Sequence, residues 1–158
     1  MSIEKQTVEL LKSKKLKLAT AESCTGGLIA KRITDVSGSS EVFEGGVVCY
    51  SNRFKENVLG VSRETLKKYG AVSRETAREM VRGVLSLTKA DIAVAVTGIA
   101  GPSSDDTNKP VGLVYIAVSD GKSTIVKKLL NNFTGDVRTQ NRNLSADTAL
   151  EMIMEAIR

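Results

Sequence analysis

Ser40, Tyr50 and Lys55 stand within sixteen residues of one another, in a 158-residue chain that contains no histidine. A serine hydroxyl attacks a carbonyl only when a base takes its proton, and histidine is the usual base. Without histidine the acceptor must be a lysine, a tyrosine or a carboxylate. Lysine can serve only as the neutral amine, and an unperturbed pKa near 10.4 leaves about 0.04% of it neutral at pH 7. Bringing that value to about 7–8 takes roughly 3–5 kcal/mol of selective destabilisation of the ammonium form. Burial at a helix start beside an apolar strand would supply this, as would a nearby arginine. Ser40 follows Gly38-Ser39, and Tyr50 is placed as a relay or orienting hydroxyl. Each residue also has a plain structural role, with Ser40 as a cap, Tyr50 as a strand-end aromatic and Lys55 as a solvated lysine. Cys24 is a second candidate nucleophile, because a thiol before a helix start can have a lowered pKa. As a small packed residue beside a turn it needs no such role.

The elements that must position these residues alternate between helix and strand. Ile3, Thr7, Leu10 and Leu11 share one face of a helix over residues 3–13, and Leu16 to Ala21 reads as a strand. The turn Glu22 to Gly27 leads into a helix carrying Leu28, Ile29, Ile33 and Val36, which Ser37-Gly38 stops. A second strand over Val42 to Tyr50 contains Gly45-Gly46, the mark of a bulge or a close backbone approach. Short helices follow over Asn52 to Leu59 and Ser62 to Tyr69, each ended by glycine. Ala77, Met80, Val81, Val84, Leu85 and Thr88 repeat with helical spacing over Ser73 to Lys89, whose polar face carries Arg74, Arg78 and Arg82. Asp91 to Thr97 is a continuous apolar run, as in a strand buried on both faces. Gly98 to Lys109 is a loop of turn formers, and two further strands over Pro110 to Ser119 and Ser123 to Leu130 are joined at Asp120-Gly121. A helix occupies the last 20 residues. Five strands with helices between them predict an α/β domain whose mixed sheet is covered on both faces. In such sheets ligands collect beyond the carboxyl ends of the strands, and three glycine turns qualify, namely Glu22 to Gly27, Gly38 to Ser40 and Gly98 to Pro102.

Composition narrows the function classes. Hydrophobic residues at 41% with 13 glycines match globular proteins, and the length suits a single domain. The apolar runs fall far short of the roughly 20 residues of a membrane span, and Met1 to Glu4 opens an amphipathic segment rather than a leader. Only Cys24 and Cys49 are present, too few for a disulfide framework or a structural zinc site without histidine, so a cytoplasmic location and no metal are expected. The net charge is +5, with Lys12, Lys14, Lys15 and Lys17 clustered near the N-terminus. Those lysines straddle a helix end, where cations are favoured, and no aromatics are interleaved to stack bases, so no nucleic-acid partner is expected.

Ala21-Glu22-Ser23-Cys24-Thr25-Gly26-Gly27, Gly38-Ser39-Ser40, Gly46-Val47-Val48-Cys49-Tyr50-Ser51-Asn52 with Lys55, Gly70-Ala71-Val72-Ser73, Thr97-Gly98-Ile99-Ala100-Gly101-Pro102 and Lys109-Pro110-Val111-Gly112 resemble the CinA C-terminal domain family, in order and spacing over about residues 5–150. The resemblance implies a three-layer α/β/α sandwich on a mixed five-stranded sheet. It also implies nicotinamide-nucleotide amidohydrolase activity, converting nicotinamide mononucleotide to nicotinic acid mononucleotide and ammonia in pyridine nucleotide recycling. In that reading Ser40 is the nucleophile, Lys55 its base and Tyr50 a supporting hydroxyl. Ser23, Thr97, Gly46 and Gly98 belong to the substrate pocket. The phosphate rests either on the Thr25-Gly26-Gly27 helix start or on Arg138 or Arg142. No cofactor is required, the partner is a small nucleotide substrate, and a homo-oligomer, most simply a dimer, is expected.

Two departures mark the chain. Gly135-Asp136 is followed by Val137 where the family commonly has arginine, with Arg138 and Arg142 beyond it, and the loop after Gly101-Pro102 carries Ser103-Ser104-Asp105-Asp106-Thr107 in place of paired glycines. Nothing resembles the larger N-terminal domain of many CinA proteins, so a stand-alone version is expected. The alternative to an enzyme is a nucleotide-binding or regulatory module whose glycine turns hold phosphate without hydrolysis.

Overall fold

The structure, a computed structural model, describes residues 1–158. In chain order the elements are α1 (Ile3–Lys14), β1 (Leu18–Glu22), α2 (Leu28–Thr34), a short 3-10 turn (Ser39–Glu41), β2 (Phe43–Val48), α3 (Asn52–Leu59), α4 (Arg63–Tyr69), α5 (Arg74–Thr88), β3 (Ile92–Gly98), β4 (Leu113–Ser119), β5 (Thr124–Leu130) and α6 (Val137–Ile157). Serines begin three successive helices. The hydroxyls of Ser51, Ser62 and Ser73 accept from the amides of Phe54, Thr65 and Thr76, satisfying donors that a helix start leaves open. β4 opens at Leu113 rather than Pro110, because Pro110 to Gly112 are spent in a turn that brings Gly112 against the Asn131 backbone.

The five strands form one mixed sheet in the order β2-β1-β3-β4-β5. β1 runs parallel to β2 and β3, and β3, β4 and β5 pair antiparallel in succession. Side-chain alternation sorts the strands into two faces of different relief. Leu18, Val94, Val96 and Ile116 pack with α1, α2 and α6, while Ala19, Ala21, Ala93, Ala95 and Ala117 pack with α3 and α5. The sandwich therefore has three layers, as expected. The small residues let α5 lie close to the sheet. No helix is long and apolar enough to cross a membrane.

Both glycines of β2 answer to the sheet rather than to a ligand. The register moves from Leu18 opposite Phe43 to Ala19 opposite Gly45, so Glu44 is the extra residue of a bulge. A Cβ on Gly46 would collide with the Thr20 hydroxyl, so its place is fixed by packing and it lies outside the cavity described below. This corrects its expected place in the substrate pocket. Gly83 shows the same constraint in α5, where a Cβ would run into the carbonyl of Leu59 with the carbonyl carbon only 2.8 Å away. Alanine normally gains about 1 kcal/mol over glycine in a helix, but overpacking against rigid backbone costs about 1–3 kcal/mol or more. Gly83→Ala is thus expected to lower Tm in thermal unfolding, against the helix-propensity trend.

Candidate active site

β1, β2 and β3 end at the same edge of the sheet, and the residues just past their ends meet there. Ser23 follows β1, held by its amide donating to the Val96 carbonyl at 3.0 Å. β2 leaves the sheet through Cys49, whose amide donates to the Glu22 carbonyl at 2.8 Å, and Ser51 caps α3 one turn before Lys55. Lys55 is 1% exposed, and its Nζ lies 3.1 Å from the Ser23 Oγ and donates to the Tyr50 carbonyl at 3.0 Å. A buried amine in contact with a hydroxyl is therefore present, with a serine 32 positions away in sequence.

Burial pushes the Lys55 pKa below the usual lysine value of 10.5, and the nearby Cys49 and Cys24 thiols act weakly in the opposite sense. No arginine is needed for the shift. Desolvation of the ammonium accounts for its direction. The Cys24 thiol is moved the other way. Burial raises its pKa to about 12, outweighing the nearby cations Lys55 and Arg142. A thiol that stays protonated at neutral pH is a poor nucleophile, which removes the helix-start argument for Cys24. Cys24→Ala is expected to keep turnover, and wild-type Cys24 to resist iodoacetamide at pH 7.5 in the folded protein.

A cavity of about 260 Å³ opens above this pair, walled by Tyr50, Thr97, Gly98, Arg138 and the Ser103 to Asp105 loop. Ser23, Lys55, Tyr50, Thr97, Gly98 and Arg138 of the sequence-derived set are thus brought together. Ser40 is not among them. It is exposed in the Ser39–Glu41 turn, before β2 begins, whereas Tyr50 and Lys55 follow the end of that strand. Six strand residues at about 3.3 Å each separate the two ends by roughly 20 Å. The structure thus separates Ser40, the expected nucleophile, from Lys55, and the serine it places against the Lys55 amine is Ser23, which was expected only as a pocket residue.

Three other expectations change with the geometry. The Tyr50 hydroxyl accepts from Arg138 Nη2 at 3.1 Å, so it is the tyrosine's carbonyl, not its hydroxyl, that touches Lys55. Arg142 does not face the cavity. Its Nε and Nη2 donate to the carbonyls of Cys24 and Thr25 at 3.1 and 3.0 Å, which ties the turn after Ser23 to α6. The helix start at Thr25-Gly26-Gly27 is closed to a phosphate, because the Glu22 carboxylate already accepts from the Ile29 and Ala30 amides at 2.8 and 3.1 Å. Thr25, Gly26 and Gly27 are not among the residues that wall the cavity.

Sequence reasoning named Arg138 for the phosphate but missed Asn141 and the way the start of α6 holds the Ala100-Gly101 loop. Arg138 Nη1 donates to the Gly101 carbonyl at 2.7 Å, and the buried Asn141 donates through Nδ2 to the Ala100 carbonyl at 2.9 Å. Thr97 Oγ1 donates to the Ala71 carbonyl at 2.7 Å, holding a third loop at the rim. Within the turn, Gly26 N donates to the Ser23 carbonyl at 3.0 Å, while the amides of Cys24 and Thr25 donate to no protein group.

Comparison with known proteins agrees with this architecture. The CinA C-terminal domain family matches residues 1–157. A CinA-like protein of Syntrophomonas wolfei subsp. wolfei is 53% identical over 137 residues, covering 87% of this chain and 32% of that protein. One of Thermotoga maritima is 47% identical over 156 residues, covering 99% and 37% respectively. The chain thus spans about a third of the length of these curated relatives. Among solved structures, the competence/damage inducible protein CihA from Agrobacterium tumefaciens superposes with a TM-score of 0.92 at 42% identity, covering 99% of this chain and 94% of that one. A competence-damaged protein (CinA) superfamily protein from Escherichia coli does so with a TM-score of 0.90 at 31% identity, covering 98% and 90%. A match along nearly the whole chain, relatives about half identical and the same fold in solved members place this protein in the CinA C-terminal domain family.

Proposed function

We propose that the protein hydrolyses the carboxamide of nicotinamide mononucleotide, giving nicotinic acid mononucleotide and ammonia, with Ser23 as nucleophile and Lys55 as general base. The observation that carries the reading is the 3.1 Å contact between a buried lysine amine and a serine hydroxyl at the floor of a cavity. As the neutral amine, Lys55 keeps one N–H on the Tyr50 carbonyl and turns its lone pair to the Ser23 hydroxyl. Ser23 Oγ attacks the carboxamide carbon while its proton passes to Nζ, and the resulting ammonium gives that proton to the departing nitrogen. Water then attacks the ester, with the same amine as base, and the Ser23 oxygen leaves as the hydroxyl. The unengaged amide of Cys24, which follows Ser23 and lines the cavity, is the oxyanion donor, in the way that the amide following a nucleophile often serves acyl transfer.

The cavity suits a zwitterion. Arg138 and Asp105 face it at the rim, one for the phosphate and one for the pyridinium ring. At about 260 Å³ it falls just below the usual span of small-molecule sites, roughly 300–1,000 Å³, so the ring and ribose occupy it with the phosphate toward the mouth. Arg138→Gln is expected to raise KM for nicotinamide mononucleotide by about tenfold or more, the value of a charge-assisted hydrogen bond, with a smaller effect on kcat. Steady-state kinetics check it. The proposed activity itself is tested by ammonia release from nicotinamide mononucleotide across pH 6 to 9. Binding of the nucleotide without release would leave a non-catalytic module instead.

A further inference from the structure

We propose a second anion site, for a small phosphate-bearing ligand, in the cleft between α5 and the β4–β5 hairpin. The cleft measures about 390 Å³ and is lined by Arg78, Arg82, Lys122, Ser119 and Thr124 among others. It is remote from the proposed active site. Ser119 pairs with Ala93 at the start of β3, whereas Gly98 at the end of β3 lines the catalytic cavity, so the two sites occupy opposite edges of the sheet.

Three observations point to an anion. Arg78 Nε is buried yet has no hydrogen-bond partner, a costly state for a charged donor unless an acceptor completes it. None of the chain's ion pairs involves Arg78, Arg82 or Lys122. The acids nearby are engaged elsewhere or form no pair. Asp120 accepts from the Lys122 and Ser123 amides at 2.9 Å each, and Glu79 accepts from the Ser62 amide at 2.8 Å. Arg74, one turn earlier on the same helix face, shows the structural alternative by donating to the Val126 carbonyl of the edge strand at 3.2 Å. Arg78 makes no such bond. Two guanidinium groups and an ammonium around a concave space suit a phosphate or diphosphate group, which guanidinium forks bind in pairs of hydrogen bonds. A cleft without aromatic side chains gives bases nothing to stack on, which disfavours single-stranded nucleic acid.

The test is calorimetric titration of inorganic pyrophosphate into the Arg138→Gln protein, so that any binding in the catalytic cavity is weakened. Saturable, salt-sensitive binding is expected to persist there and to weaken at least about tenfold on adding Arg82→Gln or Arg78→Gln. Lys5→Gln, an equal change of net charge on the far layer, is expected to leave it unaltered. Arg82 is exposed, so its variant keeps the test independent of folding, and Arg78→Gln should itself raise Tm in the absence of anion. Absence of pyrophosphate binding would overturn the proposal. So would an equal loss with Lys5→Gln, or tighter Arg78-dependent binding of a single-stranded oligonucleotide.

Discussion

Ser23→Ala is expected to lower kcat for ammonia release by at least about 10⁴-fold, with KM changed little and the fold intact. Loss of the attacking oxygen removes the acyl-enzyme route altogether, and what remains is whatever the positioned amide and bound water can do. Stability should change little, because the substitution removes only the hydroxyl oxygen, whose one side-chain hydrogen bond is with Lys55 at the cavity floor. Ser40→Ala supplies the discriminating control. Its side chain is exposed in a turn at the other edge of the sheet, so activity within about twofold of wild type is expected for a surface change away from the site. A large loss with Ser40→Ala and none with Ser23→Ala would reverse the assignment.

Lys55→Met has the second largest expected effect, a fall in kcat of about 10²–10⁴-fold, the usual share of a general base. Methionine is close in shape to the buried part of lysine, so the cavity wall is kept while the amine is lost. The pH profile separates this from a loss of packing. In the wild type, kcat/KM should rise with pH as Lys55 loses its proton, with a midpoint below the ordinary lysine value of 10.5, and the methionine variant should lack that limb. Stability changes in a definite direction. Because the folded-state pKa of Lys55 is lowered, the unfolded chain binds more protons between that pKa and about 10.5, and this group's contribution to wild-type stability rises with pH across the interval. Below it the ammonium is buried at full cost. Lys55→Met should therefore be the more stable protein at pH 6, with the difference shrinking toward pH 10. A variant that retains turnover would remove Lys55 from the chemistry.

Much of the fold is legible from local patterns because local physics sets it. Ser51, Ser62 and Ser73 stand before helical spacing, Gly60 and Gly70 close the first two of those helices, and the apolar run of β3 marks a strand buried on both faces. The Gly45-Gly46 pair correctly signals both a bulge and a close approach. The site is less legible, and the reason is topological. Ser40 and Lys55 are neighbours in sequence, but a strand lies between them and carries the chain from one edge of the sheet to the other. Ser23 and Lys55 are far apart in sequence, but each follows the carboxyl end of one of two adjacent parallel strands, and adjacent parallel strands bring those ends together. Arg142 shows a related limit. An arginine near a glycine turn suits a phosphate as well as it suits the turn's carbonyls, and only the position of α6 decides between them. Burial of Lys55 was inferable as a requirement of the chemistry, whereas its partner depended on strand order.

The most direct measurement is acid quenching of the wild-type protein during turnover of nicotinamide mononucleotide, followed by peptide mapping by mass spectrometry. The predicted result is a nucleotide-bearing nicotinoyl ester on the peptide containing Ser23, strongest at the pH where its formation outpaces hydrolysis and missing from Ser23→Ala. An adduct on Ser40, or a thioester on Cys24, would contradict the Ser23–Lys55 pair.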